Sequence, residues 1–167
     1  MLVFVYGTLK RGEPNHCWLT DDKNGCAKFL MFGKTASKYP LVIGSEYNIP
    51  FLLKPYDEFA IGHNVIGEVY DVDEKMLSNL DVLEQHPTFY RREEISIATD
   101  DGNLLCWTYF LVDCRPELLK LPFLTEYSNE GSHGLRYVES MLIFIYATIF
   151  GLDVVERTLK EQMTNPS

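Results

Sequence analysis

The sequence predicts an α+β fold: a small mixed β-barrel or curled sheet with a few flanking helices. With 167 residues, the chain has the length of one domain with a full core. Apolar residues make up 46% of it and aromatic residues 13%, as expected for a packed globule. Short apolar segments bounded by Gly, Pro, Asn or Asp outnumber helical patterns, which favours strands over helices.

Most of the predicted elements are strands. They cover residues 2–6, 26–32, 39–43, 48–53, 65–72, 93–98 and 104–112. Pro50 makes its segment an edge strand or an inward-packing loop, because proline donates no ladder hydrogen bond. Gly67 indicates a bulge or the close approach of another group. Residues 101–103 (DGN) predict a hairpin turn between the last two strands.

One helix stands out after residue 72. Asp73 is a suitable N-cap, Glu74 suits the positive end of the helix dipole, and Pro87 prevents continuation. An apolar stripe of four residues predicts its inward face: Met76, Leu77, Leu80 and Leu83. Glu84 follows Leu80 by four residues, so its carboxyl is expected on or beside this stripe, at the C-terminal end of the helix.

The loop after the first strand is a candidate ligand site. Gly7 and Gly12 have the spacing of a nucleotide-binding P-loop, but Glu13 and Pro14 replace its Lys and its hydroxyl residue. Residues 7–9 remain at a strand end, where backbone N–H groups lack ladder partners and could bind a small anion such as a carboxylate. The alternative is an ordinary tight turn followed by two solvated basic residues, Lys10 and Arg11.

Glu84 is a candidate acid/base. Burial and the negative end of the helix dipole both disfavour its charged form, so its pKa should rise from about 4.3 towards neutrality. A carboxyl with such a pKa can accept and return a proton at physiological pH. Two alternatives stay open: the helix end could fray and expose Glu84, or His86 could be the base.

Charge and cysteine content exclude several classes of function. The net charge of −9 argues against a nucleic-acid partner. Four cysteines without a C-x-x-C pair, and no signal peptide, predict reduced thiols and a cytoplasmic location. The four histidines lack zinc-ligand spacing, so neither a metal nor another cofactor is expected.

A set of motifs resembles the gamma-glutamyl cyclotransferase-like (AIG2-like) family. They occur in order at residues 6–12 (YGTLKRG), 14–16 (PNH), 39–43 (YPLVI), 48–50 (NIP), 67–70 (GEVY), 80–84 (LDVLE) and 133–137 (HGLRY). The resemblance implies a family domain over residues 1–137 with a β-barrel and flanking helices. It also implies that Tyr6, Gly7, Thr8 and Leu9 bind the substrate and that Glu84 is the catalytic acid/base.

The implied reaction is an intramolecular cyclisation of a small γ-glutamyl compound. The glutamyl α-amine attacks the γ-carbonyl, which forms 5-oxoproline and releases the amine. The resemblance favours γ-glutamylamines such as γ-glutamyl-ε-lysine. The alternatives are γ-glutamyl amino acids, whose extra carboxylate Arg91, Arg92 or Arg136 could meet, and a non-catalytic member that binds a small ligand or a protein.

Residues 138–167 depart from the family pattern and form a predicted atypical extension. Its apolar run, residues 141–152, is too short for a bilayer-spanning helix, which needs about 17 to 25 residues. A buried strand, a docking helix and a segment that binds a partner are the alternatives for this run.

Overall fold

The computed structural model describes residues 1–54 and 61–138. Its strands are β1 (Leu2–Val5), β2 (Ala27–Thr35), β3 (Leu41–Gly44), β4 (Ile49–Leu52), β5 (Ile66–Val72), β6 (Tyr90–Thr99) and β7 (Gly102–Leu111). Its helices are α1 (Cys17–Thr20) and α2 (Glu74–Leu83), with 3₁₀ turns at Asp22–Asn24 and Leu118–Lys120. The predicted extension and its apolar run lie outside the described residues, apart from Val138, so the domain boundary after residue 137 stays a prediction.

Five of the strands close into a barrel in the order β1-β5-β2-β6-β7. Every neighbouring pair is antiparallel except β1 and β7, which meet in parallel where Val3 pairs with Trp107. This mixed barrel confirms the predicted fold class. Its interior is filled by apolar side chains from facing strands, among them Phe4, Val69 and Ile97.

The strands β3 and β4 form a separate two-stranded sheet. Pro50 pairs with Ile43 in this sheet, which agrees with the edge position predicted for a proline-containing strand. The buried residues Leu41 and Leu52 pair with each other and belong to the same apolar core as the barrel interior. The small sheet therefore packs on the barrel and does not extend it.

The predicted helix is confirmed as α2. The Asp73 carboxylate caps it by accepting a hydrogen bond of 2.7 Å from the Met76 backbone N–H. All four residues of the predicted apolar stripe are buried. The last helical residue is Leu83, so Glu84 is the C-cap and lies one residue beyond the helix. No helix in the described ranges is long and apolar enough to cross a membrane.

The turn between β6 and β7 differs from the prediction by one to two residues. Thr99 pairs with Gly102, so the loop consists of Asp100 and Asp101. Gly102 begins β7 with a φ of 116°, a backbone conformation that glycine adopts without a Cβ clash. The sequence pattern located the hairpin correctly but assigned Gly102 to the loop.

Gly67 occupies a position with no space for a side chain. A Cβ atom there would lie 2.4 Å from the Val5 carbonyl oxygen and 2.6 Å from the Phe4 ring. Close approach is therefore the correct alternative at Gly67, and the register irregularity of the β2–β5 ladder lies instead between Phe29 and Met31 on β2.

The substitution Gly67→Ala is expected to destabilise the fold by about 2 kcal/mol or more, because the clash involves the backbone of β1, which cannot rotate away. Urea unfolding measures the effect. Ile66→Ala, on the exposed neighbouring residue of the same strand, is the control and should cost below about 1 kcal/mol. Equal losses in the two variants would contradict the close packing at Gly67.

Candidate active site

The loop after β1 presents three unpaired backbone donors. The N–H groups of Gly7, Thr8 and Leu9 donate no hydrogen bond to any acceptor in the described part of the chain. The loop itself is ordered: the Asn15 backbone N–H donates to the Thr8 carbonyl (2.9 Å), and the Asn15 side-chain amide donates to the Thr8 hydroxyl (3.0 Å). We call residues 7–9 the amide loop, because its free N–H groups can bind an anionic oxygen.

The side chains of the candidate binding segment are mostly engaged. Tyr6 is buried, and its hydroxyl donates a 2.8 Å hydrogen bond to the Tyr109 carbonyl. Leu9 is buried, and the Thr8 hydroxyl already accepts from Asn15. Gly7 lies against β4, where an added Cβ would be 2.9 Å from the Pro50 ring. The backbone, more than the side chains, is what this segment offers a ligand.

The two basic residues after the amide loop are both paired with carboxylates. Lys10 is only 6% exposed, and its ammonium group donates to Glu126 over 2.9 Å. Arg11 donates to the buried carboxylate of Glu68 from its backbone N–H (3.0 Å) and from its Nε (3.1 Å). Its guanidinium also lies 3.5 Å from the Phe29 ring centroid. Lys10 is therefore not the solvated cation of the ordinary-turn alternative, whereas the side chain of Arg11 is paired but 42% exposed.

Glu84 is held at the junction of α2 and β6. Its backbone N–H donates to the Leu80 carbonyl (2.9 Å), and its carbonyl accepts from the Tyr90 N–H (3.2 Å). The side chain is half-buried, so the helix end is not frayed. Burial raises the pKa of Glu84 to about 8. Its carboxyl accepts no hydrogen bond from residues 1–54 or 61–138 that would stabilise the charged form.

Three tyrosines lie within electrostatic reach of Glu84. Burial is the main cause that raises the pKa of Tyr6, Tyr90 and Tyr109, and the charge of Glu84 raises it further in each case. Tyr6 directly precedes the amide loop. The structure therefore brings the two sequence-predicted parts of the site, the loop after β1 and the carboxyl after α2, into one region.

His86 is poorly suited to be the base. Its Nδ1 lies 3.3 Å from the Arg92 backbone nitrogen and accepts a hydrogen bond from that N–H. A neutral imidazole that accepts at Nδ1 carries its proton on Nε2, so neither nitrogen offers a free lone pair. Of the two candidate bases, Glu84 is the one whose proton-binding atoms are available.

Asp81 is a residue of this site that the sequence reasoning missed. Its carboxylate accepts hydrogen bonds from the Tyr109 hydroxyl (2.7 Å) and from Arg92 Nε (2.8 Å). Its position three residues before Glu84 was the available signal, because residues i and i+3 lie on one side of a helix. Its partners could not be found this way, since they come from strands later in the chain.

The profile of the family described as "Gamma-glutamyl cyclotransferase, AIG2-like" matches residues 3–129. The chain belongs to this family. Membership makes the chain part of a family of enzymes.

Several known proteins are similar to this chain over most of its length. Gamma-glutamylaminecyclotransferase of Bos taurus is 47% identical over 137 residues, which are 81% of this chain and 80% of the relative. The Homo sapiens protein of the same name is 43% identical over 148 residues, 81% of this chain and 95% of the relative. A crystal structure of an AIG2-like protein from Mus musculus has a TM-score of 0.78 and 42% identity, covering 82% of this chain and 94% of that one.

The substitution Glu84→Gln is expected to stabilise the protein increasingly as pH rises. A carboxyl whose folded-state pKa (about 8) exceeds its unfolded value (about 4.3) binds its proton more tightly when folded. Stability contributed by the neutral form is present at pH 4 and is lost progressively up to pH 8. The glutamine amide does not ionise, so it does not lose this stability. The free energy of unfolding of the variant, relative to that of the wild type, should therefore rise between pH 5 and 8.5, on the order of 3 kcal/mol.

Urea unfolding of both proteins across this pH range measures the advantage. Glu74→Gln, on an exposed residue in the first turn of the same helix, is the matched control, with no such growth expected. If the difference in unfolding free energy between Glu84→Gln and the wild type stayed constant with pH, Glu84 would have an ordinary carboxyl pKa in the folded protein.

Proposed function

We propose that the protein is a gamma-glutamylamine cyclotransferase, which releases 5-oxoproline and a free amine from compounds such as γ-glutamyl-ε-lysine. The observation that carries this proposal is a half-buried carboxyl with a pKa of about 8, Glu84, within electrostatic reach of Tyr6. Tyr6 leads into the amide loop, whose backbone donors have no partner in the described residues. Relatives named gamma-glutamylaminecyclotransferase support the choice of substrate class. The cytoplasmic location stays a prediction, which the four free thiols support.

Glu84 transfers the protons in the proposed reaction. The ionised carboxylate takes a proton from the substrate α-ammonium, and the freed amine attacks the γ-carbonyl carbon to close a five-membered ring. As the isopeptide C–N bond breaks, the protonated Glu84 returns its proton to the departing nitrogen. The restored carboxylate then takes the second proton from the ring nitrogen, which leaves the single N–H of 5-oxoproline, and passes that proton to the released amine, which departs as an ammonium ion. Two protons thus move from the α-ammonium to the leaving nitrogen, and the cycle ends with the carboxylate restored.

The amide loop binds the glutamyl group. The N–H groups of Gly7, Thr8 and Leu9 can donate to its α-carboxylate or to the oxyanion that develops on the γ-carbonyl. Because the nucleophile belongs to the substrate, little translational entropy is lost at ring closure. The main task of the loop is then to hold the glutamyl chain in an attacking conformation.

The three arginines considered for an amino-acid leaving group all have carboxylate partners. Arg92 donates to Asp81, Arg91 Nε lies 3.5 Å from Glu93, and Arg136 pairs with Glu130. A carboxylate next to the leaving nitrogen, as in a γ-glutamyl amino acid, would have to compete with these partners. This favours a leaving amine whose nitrogen has no adjacent carboxylate, such as the ε-amine of lysine.

The purified protein is expected to release 5-oxoproline from γ-glutamyl-ε-lysine faster than from γ-glutamyl-alanine or glutathione, with detection by chromatography. Glu84→Gln should lower kcat by about 100-fold or more, because general acid–base catalysis is worth roughly that factor at each proton transfer. Turnover of another substrate in preference would change the substrate class. Folded protein without any turnover would instead indicate a non-catalytic ligand-binding member.

The value of kcat/KM is expected to fall as pH drops below about 8, because only ionised Glu84 can accept the proton from the substrate. Rates of 5-oxoproline release between pH 6 and 9 measure this dependence. The substrate α-amine is titrated separately so that its own ionisation can be subtracted. A midpoint near pH 4 to 5 would contradict a base with a raised pKa.

A further inference from the structure

The carboxylate of Asp81 is clamped between two adjacent strands. A single oxygen, Oδ1, accepts both the Tyr109 hydroxyl hydrogen bond (2.7 Å) and the Arg92 Nε hydrogen bond (2.8 Å). Arg92 and Tyr109 are direct partners in the β6–β7 ladder. Asp81 therefore attaches the last turn of α2 to one defined rung of the barrel wall.

This attachment is shielded and rigid. The side chains of Arg92 and Asp81 are only 21% and 23% exposed, in contrast to surface ion pairs that contribute little. The Arg92 guanidinium also lies 4.5 Å from the Trp107 ring centroid, which fixes it from a second side. The Asp81 carbonyl accepts from the His86 N–H (2.8 Å), so the same residue also holds the chain just after Glu84.

The clamp connects both halves of the candidate active site. Glu84 is three residues after Asp81 and leaves the same helix end. Tyr109, which donates to Asp81 through its hydroxyl, accepts the Tyr6 hydroxyl hydrogen bond at its carbonyl (2.8 Å). Tyr6 leads directly into the amide loop. Tyr109 therefore connects the two parts of the site: its backbone binds Tyr6, next to the amide loop, and its side chain binds Asp81, in the helical turn before Glu84.

We propose that Asp81 is a positioning residue for the cyclisation, which holds Glu84 at the correct distance from the amide loop through Tyr109 and Arg92. The proposal rests on the proposed function, because it assigns Asp81 a role in that reaction. Asp81 does not touch the reacting atoms. It acts by fixing the helix end, and a displacement of about 1 Å at a catalytic group can cost roughly 100-fold in rate.

Three variants test this role. Asp81→Ala removes both hydrogen bonds, Tyr109→Phe removes one, and Asp81→Asn keeps a neutral oxygen acceptor of the same shape. We expect kcat to fall about 10- to 100-fold in Asp81→Ala and less in the other two, with KM changed less than about threefold. Asp113→Asn is the matched control and should have no effect, since within residues 1–54 and 61–138 the Asp113 carboxylate pairs only with the exposed Arg115 (2.9 Å).

The pH dependence provides a second readout. Released from the clamp, Glu84 would gain water, and its pKa should move down from about 8 because burial raised it. The groups that interact with it electrostatically are Tyr6 just after β1, Tyr90 on β6 and Tyr109 on β7, and the charged pair of Asp81 on α2 and Arg92 on β6 interacts with Tyr109 in turn. Tyr109→Phe leaves every formal charge among them in place, so a downward shift of the kcat midpoint in that variant reports displacement.

The possible outcomes separate the two proposals. Folded variants with wild-type kcat and pH midpoint, or variants that change only KM, would overturn the positioning role and leave the proposed function intact. An inactive wild-type protein, or a fully active Glu84→Gln variant, would overturn the proposed function and the positioning role with it. If Asp81→Ala does not fold, Tyr109→Phe and Asp81→Asn decide the question, because they preserve the packing.

Discussion

Closure of the barrel by the parallel contact of β1 with β7 is the constraint on which the site depends. Val3 pairs with Trp107, which brings the end of β1 beside the middle of β7. Three residues after Val3, and directly beyond β1, the Tyr6 hydroxyl donates to the Tyr109 carbonyl. Strand β7 also provides the Tyr109 hydroxyl that binds the end of α2. Without this closure the amide loop and Glu84, which are 75 residues apart in the chain, would have no common support.

Two glutamates, buried Glu68 and half-buried Glu84, show how the same fold produces opposite shifts in pKa. Burial alone would raise the pKa of Glu68, but hydrogen bonds from Tyr70 and from the backbone and side chain of Arg11 overcome it and lower the pKa. Glu84 lacks such donors in the described residues, so burial raises its pKa to about 8. Glu68 therefore anchors the loop as a permanent anion, whereas Glu84 can exchange a proton near neutral pH.

Local patterns in the sequence were sufficient for the parts of the fold that depend on neighbouring residues. Asp73 and the apolar stripe of α2 act within one helix. Gly67 could be singled out by its residue type, but only the packing against Val5 and Phe4 decides between a bulge and close approach. Pairings between distant strands were beyond such patterns. The local sequence predicts a solvent-facing side chain for Arg92. It becomes the partner of Asp81 only through the β6–β7 register and the packing of α2 against the barrel. The position of Glu84 beside the apolar stripe was readable, but its partners were not.

The position of Glu84 controls its acidity as well as its geometry. Since desolvation raises its pKa, any movement of the carboxyl towards solvent would lower the pKa. The same movement would take the carboxyl away from the substrate. Ionising a half-buried carboxyl costs folding free energy, so the helix end would relax outwards if nothing held it. The hydrogen bonds from Arg92 and Tyr109 to Asp81 oppose that movement. A site whose base is tuned by burial therefore needs a rigid attachment close to that base, and in this fold Asp81 provides it one turn before Glu84.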